Sequence, residues 1–405
     1  MNLRIFSSLH SRKYRIYFIG QSVSLIGTWM YNIALGWLVY RLTDSVFLLG
    51  LVGFTSQIPN LVLTPFTGVI TDRHNRLRLM TVTQVMFLLQ ASAMALLVLT
   101  NLVQVWHVVA LSLVAGTIGA FDAPVRHSLV IDLIDNPNDL GNAIALNSAV
   151  FNSARLIGPA VAGFVISFAG EGFCFLLNAL SYVAVVYALT CIKIDKPRAI
   201  DRTSNYKKGF SNGVKYTFSQ PKISTLIITL ACFSVCGLSY VNLLPAYAKT
   251  LLGGGPKTLG FLMSALGAGA LLGALYMASR RDTKAMPRLI SFGIPILGLS
   301  LMLASKCNIP VLSALFFFAC GLTMILSSSS INILLQSLSD DNMRGRVMSF
   351  YTMAMMGMTP VGNLLVGSVA SKIGLNNALL FCGIITIVIG ALYTWRRKVI
   401  EQMAN

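Results

Sequence analysis

The chain has 405 residues, 55% of them hydrophobic and 11% charged, with mean hydropathy +0.73 and a formal net charge of +18. A soluble globular domain carries about 25% charged residues, so that class is excluded. A nucleic-acid-binding reading of the positive charge fails as well, because of where the basic residues fall along the chain.

A bilayer core requires roughly 20 apolar residues per helix. Runs of that length recur near 16–40, 46–70, 78–100, 105–124, 143–168, 173–192, 223–247, 258–279, 288–305, 309–331, 346–370 and 376–394, which predicts an all-α membrane protein with twelve transmembrane helices. Arg4, Arg12, Lys13 and Arg15 precede the first run. That run is longer than a signal-peptide core and no small-residue cleavage site is evident, so the first span is expected to stay as an anchor. When the links are assigned alternately to two sides, the side of the N-terminus holds 25 of the 31 Lys and Arg. The other side holds only Arg41, Lys249, Lys257, Lys306 and Lys372, and Arg155 falls inside a span. The positive-inside bias therefore places both termini in the cytoplasm, and the charge reports topology and contact with anionic lipid.

The first span carries Gln21, Trp29, Asn32, Trp37 and Tyr40. Asn32 falls about halfway across, where an amide needs a partner or water, so a cavity-lining face is expected against the plainer reading of packing with an aromatic belt. The second span repeats the theme with Gln57 beside Pro59, and Pro65 follows. Gly68, Asp72, Arg73, His74, Asn75 and Arg76 then form a link too short for a domain, which must hold the second and third spans tightly at one membrane face. The plain reading of Asp72 and Arg76 is a pair of solvated loop charges worth about 0–1 kcal/mol.

The fourth span ends in Phe121-Asp122-Ala123-Pro124-Val125-Arg126. Asp122 is the best candidate for a proton carrier, while pairing with Arg126 one turn away makes it structural, the reading favoured here. The fifth span holds Asn147, Asn152, Arg155, Gly158-Pro159 and Gly163. Arg155 lies about twelve residues in, near the midplane at roughly 1.5 Å per residue. An intramembrane charge is a functional hypothesis by default; an arginine bonded to backbone carbonyls is the structural alternative. No acid lies at comparable depth, so neutral or anionic ligands fit better than cationic ones. Trp29, Asn32, Trp37, Gln57, Tyr240 and Asn242 complete the candidate cavity lining; as aromatic and amide groups in apolar spans, they have packing as the plain alternative.

The polar segment 196–222 divides the chain into a six-helix bundle over 1–195 and a second over 223–405, and reads as a cytoplasmic linker. The halves repeat. Shifted by 204, Gly141 falls on Gly345, Gly158 on Gly362, Gly163 on Gly367 and Gly170 on Gly374. The Asp72 loop has only a faded counterpart near Gly273, Arg280 and Arg281. Two six-helix halves in parallel repeat are a transporter plan with the substrate site at their interface.

The seven cysteines lie mostly within apolar runs, and Cys232 and Cys236 share a helix face without a histidine, so a metal site is not expected. The stretch Gly253-Gly254-Gly255-Pro256-Lys257-Thr258 lacks the Gly-Lys pair and the strand that a phosphate-binding loop needs. His10, His74, His107 and His127 are scattered, and no triad or nucleotide motif supports a membrane-embedded enzyme.

With Gly68, Asp72, Arg73 and Arg76 after the second span, twelve spans and a 6+6 repeat, the chain resembles the major facilitator superfamily. The loop departs from that family's signature with Asn75 where Gly is usual. Ser24–Trp29, Gly36–Tyr40, Ala123–Arg126, Ala154–Pro159 and Arg344-Gly345-Arg346-Val347 are similar to the enterobactin-exporter and macrolide-efflux branch. The resemblance implies export of a siderophore or hydrophobic drug across the inner membrane, by alternating access driven by a proton gradient, with no bound cofactor and the protein as a monomer. A lysophospholipid flippase on the same fold is the alternative. Gly158-Pro159 is similar to the antiporter signature of the fifth span, which here lacks the upstream Gly (Ala154) and has only Gly163 of the later double Gly. The resemblance also brings the Asp72 loop to the start of the eleventh span, near Arg344, Gly345 and Arg346. A helix N-terminus there offers N–H groups and partial positive charge to a carboxylate.

Overall fold

The structure, a computed structural model, describes residues 6–192, 214–280 and 283–403; the side chains of 64–66, 68–73, 341–342 and 399–403 lie outside the described residues. Most of the 196–222 linker, and Arg281, also lie outside them. In hydrocarbon every backbone N–H and C=O must be satisfied within its own segment, and long apolar runs meet that demand as helices. Among the described residues, twelve helices are long and apolar enough to cross a membrane. They are α1 (Arg12–Thr43), α2 (Val46–Arg73), α3 (Arg76–Leu99), α4 (Val105–Leu133), α5 (Leu140–Ala169) and α6 (Glu171–Thr190). The remainder are α7 (Pro221–Leu251), α8 (Pro256–Ser279), α9 (Met286–Ala304), α10 (Pro310–Leu338), α11 (Met343–Ile373) and α12 (Leu375–Met403).

Two compact units emerge. Unit 1 comprises Met1–Thr43, Ile58–Asp201 and Gly255–Ser264, and unit 2 comprises Asp44–Gln57, Arg202–Gly254 and Ala265–Asn405. The first part of α2 groups with unit 2, and the first part of α8 with unit 1. In unit 1, α1 packs against α5 and α6, and α3 against α4 and α6. The core there is built on Tyr14, Tyr17, Met80, Val125, Leu129 and Val185. In unit 2, α9 packs against α10 and α12, and the Tyr247 hydroxyl donates to the Ala304 carbonyl at 2.9 Å and lies 2.8 Å from the Ser313 hydroxyl.

The four glycine pairs of the 204-residue repeat share physical roles. Gly170 and Gly374 adopt φ of +84° and +85° where α5 turns into α6 and α11 into α12, a left-handed conformation that a side chain would strain. Gly141 and Gly345 have open space around the position of a Cβ. The remaining two pairs mark close helix crossings. A Cβ at Gly158 would stand 2.5 Å from the Trp29 Cβ, and one at Gly362 would strike the Ser239 hydroxyl and the Val235 carbonyl. One at Gly163 would lie 3.1 Å from the Gly260 Cα, and one at Gly367 2.9 Å from the Gly50 Cα. Small residues at such points let backbones approach closely, which stabilises helix packing where no hydrophobic force acts between spans.

Candidate functional site

The short link after the second span is built from helix ends. α2 continues to Arg73 and α3 begins at Arg76, so Gly68, Asp72 and Arg73 belong to the last turns of α2, with their side chains outside the described residues. Asn75, the departure from the family pattern, is the N-cap of α3: its Oδ1 accepts the Arg78 N–H at 3.0 Å. Arg76, the first residue of α3, donates through Nη1 to both carboxylate oxygens of Asp132, at 3.0 and 3.2 Å, and so ties this link to the end of α4. Asp132, in the last turn of α4, thus supplies the partner for the basic loop.

Ten residues earlier on α4, Asp122 is 3% exposed. It forms an ion pair with Arg126, whose Nε donates at 3.1 Å, and accepts from Gln84 Nε2 at 2.6 Å and Thr83 Oγ1 at 3.1 Å. Two elements, α3 and α4, therefore converge on one carboxylate. Charge-assisted bonds of this kind are the strong ones, and the arrangement is that of a braced ion pair.

Arg155 lies near mid-span on α5, half-buried, with its guanidinium carbon 5.8 Å from the centre of the Trp29 ring. Trp29 in turn meets Phe151 edge-on at 5.8 Å, and Gly158 leaves room for it, because any side chain there would collide with the Trp29 Cβ. Arg155 sits one turn from Phe151, which is 45% exposed, and Asn32 lies one turn beyond Trp29 and is exposed. An exposed amide at that depth belongs against water rather than lipid. Unit 1 thus presents a surface of one cation, two aromatic rings and one amide. Phe151 was not singled out by the sequence, because an aromatic in an apolar run reads as packing until its neighbour is known.

Other candidates are placed elsewhere. Trp37 is 8% exposed and packed inside unit 1. Tyr240 is fully buried in unit 2, stacked on Phe317 at 6.0 Å. Gln57 and Asn242 are half-buried in unit 2. At the start of α11, Arg344 Nε donates to the Gln336 carbonyl at 3.0 Å, and Arg346 lies 3.2 Å from the Met343 sulfur. Pro159 follows Gly158 on α5 and presents its carbonyl where a Cβ at Gly260 would come to 2.7 Å.

Residues 4–405 match the family described as transmembrane secretion effector. The chain belongs to this branch of the major facilitator superfamily. Among its curated relatives in the superfamily, the staphyloferrin A transporter of Staphylococcus aureus is 25% identical, with 92% of this chain and 94% of that protein covered. The multidrug efflux pump Tap of Mycolicibacterium fortuitum is 26% identical over 88% and 89% of the two chains, and macrolide efflux protein A of Streptococcus pyogenes 22% over 93% and 94%. The fold is shared with nucleoside transporter NupG at a TM-score of 0.75 and 11% identity, over 95% of this chain and 99% of that one. It is likewise shared with a bacterial homologue of the human lysosomal transporter Spinster, in an inward-facing, unoccupied conformation, at 0.74 and 12%, over 96% and 97%. This superfamily member is a multi-pass membrane transporter of small molecules rather than an enzyme.

Proposed function

We propose that the protein exports a small amphipathic organic molecule, a siderophore or a hydrophobic drug, across the inner membrane by alternating access coupled to proton antiport. It acts as a monomer in contact with membrane lipid, with both termini cytoplasmic. The observation that carries the cargo class is the Trp29–Phe151–Arg155 surface: a cation over an aromatic ring, beside an exposed amide, at mid-span. Such a surface favours acceptor-rich, neutral or anionic molecules with flat apolar parts. Asp122, the carboxylate in the fourth span, is already engaged by Arg126, Gln84 and Thr83, so a cationic cargo would find no available counter-charge there. The relatives, a siderophore transporter and two efflux proteins, point the same way.

The deciding experiment follows efflux of a labelled catechol siderophore, a labelled macrolide, a lysophospholipid and a cationic dye from cells with and without the gene. Siderophore or macrolide efflux is expected. Robust export of the dye would overturn the charge assignment, and lysophospholipid movement alone would move the protein to the flippase reading. Asp72→Asn should impair export while leaving membrane insertion intact; normal export by that variant would remove Asp72 from the transport cycle.

A further inference from the structure

Unit 2 holds a buried amide without a partner. Asn363 on α11 is 1% exposed, and among the described residues neither its Oδ1 nor its Nδ2 has a hydrogen-bond partner. Its neighbours explain how it is held. One residue before it, Gly362 brings α11 against the Val235 carbonyl and the Ser239 hydroxyl of α7; one turn after it, Gly367 meets Gly50 of α2. The Asn363 backbone carbonyl itself abuts Gly50. The amide is thus fixed between two helix crossings and does not depend on its own bonds for its position.

A second amide faces the same point. A Cβ added at Gly53 of α2 would lie 2.5 Å from Asn242 Nδ2 and 3.0 Å from Asn363 Nδ2, so both side chains press on a glycine that covers them. Asn242 belongs to an irregular stretch of α7, a 3₁₀ turn over Ser239–Leu243 with π-helical turns at Ser234–Leu238 and Tyr247–Leu251 on either side. Breaks of this kind inside a span collect at functional sites.

An asparagine side chain has two donors and an acceptor with two lone pairs, and leaving them unmet in a low-dielectric interior is unfavourable. A buried group left in this way calls for an explanation, such as a functional role or a bound water. No charged residue occurs in 45–71, 223–248 or 347–371, and Asp44 and Lys249 at the helix ends are paired with each other at 2.5 Å. We propose that Asn242 and Asn363 form an uncharged hydrogen-bonding subsite that takes a hydroxyl or carbonyl oxygen once Gly53 on α2 withdraws from the two amides. The oxygen is supplied by the transported molecule or by water. The cargo source rests on the exporter reading above; the subsite itself does not.

The test uses the full-length protein, purified as wild type and Asn363→Leu. Replacing a partnerless buried amide by an apolar side chain of similar size should raise the thermal unfolding midpoint by roughly 1–3 °C. An unchanged or lower midpoint means the amide is satisfied where it lies and overturns the subsite. The occupant is read in proteoliposomes with enterobactin, a tris-catechol, and its O-methylated analogue, using Asn363→Leu and independently Asn242→Leu. Enterobactin transport slowed by about tenfold, with the methylated analogue within about twofold of wild type, assigns the oxygen to the cargo. Equal slowing of both assigns it to water, and unchanged transport of both overturns the subsite. If the wild type moves neither probe, the exporter reading fails for catechols, and the midpoint shift alone decides the subsite.

Discussion

Helices α5 and α11 occupy equivalent places in the repeat and solve the same packing problem with different chemistry. Each uses one glycine, Gly158 or Gly362, to admit a neighbouring helix, and a later one, Gly163 or Gly367, to meet another glycine. Each ends on a left-handed glycine, Gly170 or Gly374. Between these fixed points the polar groups diverge. Unit 1 carries charge within its spans, in Asp122, Arg126 and Arg155, whereas in unit 2 the stretches 223–248, 289–305, 307–339, 347–371 and 373–395 hold no charged residue and rely on amides and hydroxyls. Where α5 has Pro159 after Gly158, α11 has Asn363 after Gly362. The difference teaches that the glycine framework sets the fold of both halves and leaves the polar chemistry of each free to specialise.

The sharpest way to break the comparison is to remove charge from unit 1. Asp122→Ala would leave Arg126 half-buried without its partner and Gln84 Nε2 without its 2.6 Å acceptor. Breaking a buried pair by deleting one partner costs about 3–5 kcal/mol, so the variant should be recovered poorly as a folded species on size-exclusion chromatography. Asp122→Asn keeps an acceptor for Gln84 and Thr83 and should be recovered better. Equal recovery of Asp122→Ala and wild type would remove the pair from the list of what holds unit 1 together.

The glycines come next. At Gly362 an added methyl meets a backbone carbonyl and a hydroxyl that is already hydrogen-bonded to the Thr359 carbonyl at 3.3 Å, whereas at Gly158 the nearest atom is the Trp29 Cβ at 2.5 Å, with the Ile26 carbonyl next at 3.3 Å. Overpacking a close contact costs roughly 1–3 kcal/mol. Gly362→Ala should therefore lower the unfolding midpoint more than Gly158→Ala, since the added methyl meets three atoms within 2.8 Å at Gly362 and only one, at 2.5 Å, at Gly158. The reverse order would show that the irregular turn of α7 yields more readily than α1 does.

Arg155 sharpens the comparison on the functional side. Lysine keeps the charge and loses the planar face that lies over Trp29, and the two side chains are not interchangeable at a stacked site. Arg155→Lys should raise the apparent KM for export by about tenfold, a difference of about 1.4 kcal/mol, with the maximal rate held. A loss of maximal rate with KM unchanged would place Arg155 in the conformational cycle instead.

Much of this organisation was legible in the sequence, and the reasons are physical. Span number follows from run length, because bilayer thickness fixes it. The repeat was legible because Gly141, Gly158, Gly163 and Gly170 recur with one spacing, and three of those four registers prove to be places where a side chain would strain or collide. The irregular path of α7 was not legible, since the run length and composition of Pro221–Leu251 mark a span without showing where its turns change. Asn363 escaped notice because an asparagine beside a glycine reads as packing; only the absence of partners around it among the described residues, a three-dimensional fact, sets it apart. Phe151 joined Trp29 and Arg155 for a similar reason: the contact is between α1 and α5, and neither run alone implies it.

The smallest effect is expected at Asn75. It stands where the superfamily signature has glycine, and its side chain caps α3 by accepting the Arg78 N–H at 3.0 Å. Glycine is nearly as good an N-cap as asparagine, while alanine costs about 1 kcal/mol. Asn75→Gly should therefore shift the unfolding midpoint by only a few tenths of a kcal/mol in equivalent stability, and Asn75→Ala by roughly three times as much. The backbone there is extended, at φ −65° and ψ 114°, which every residue type adopts, so glycine is not required for its left-handed freedom at this position. If Asn75→Ala proved as mild as Asn75→Gly, the cap would contribute nothing, and Arg76 with its two bonds to Asp132 would alone fix where α3 begins.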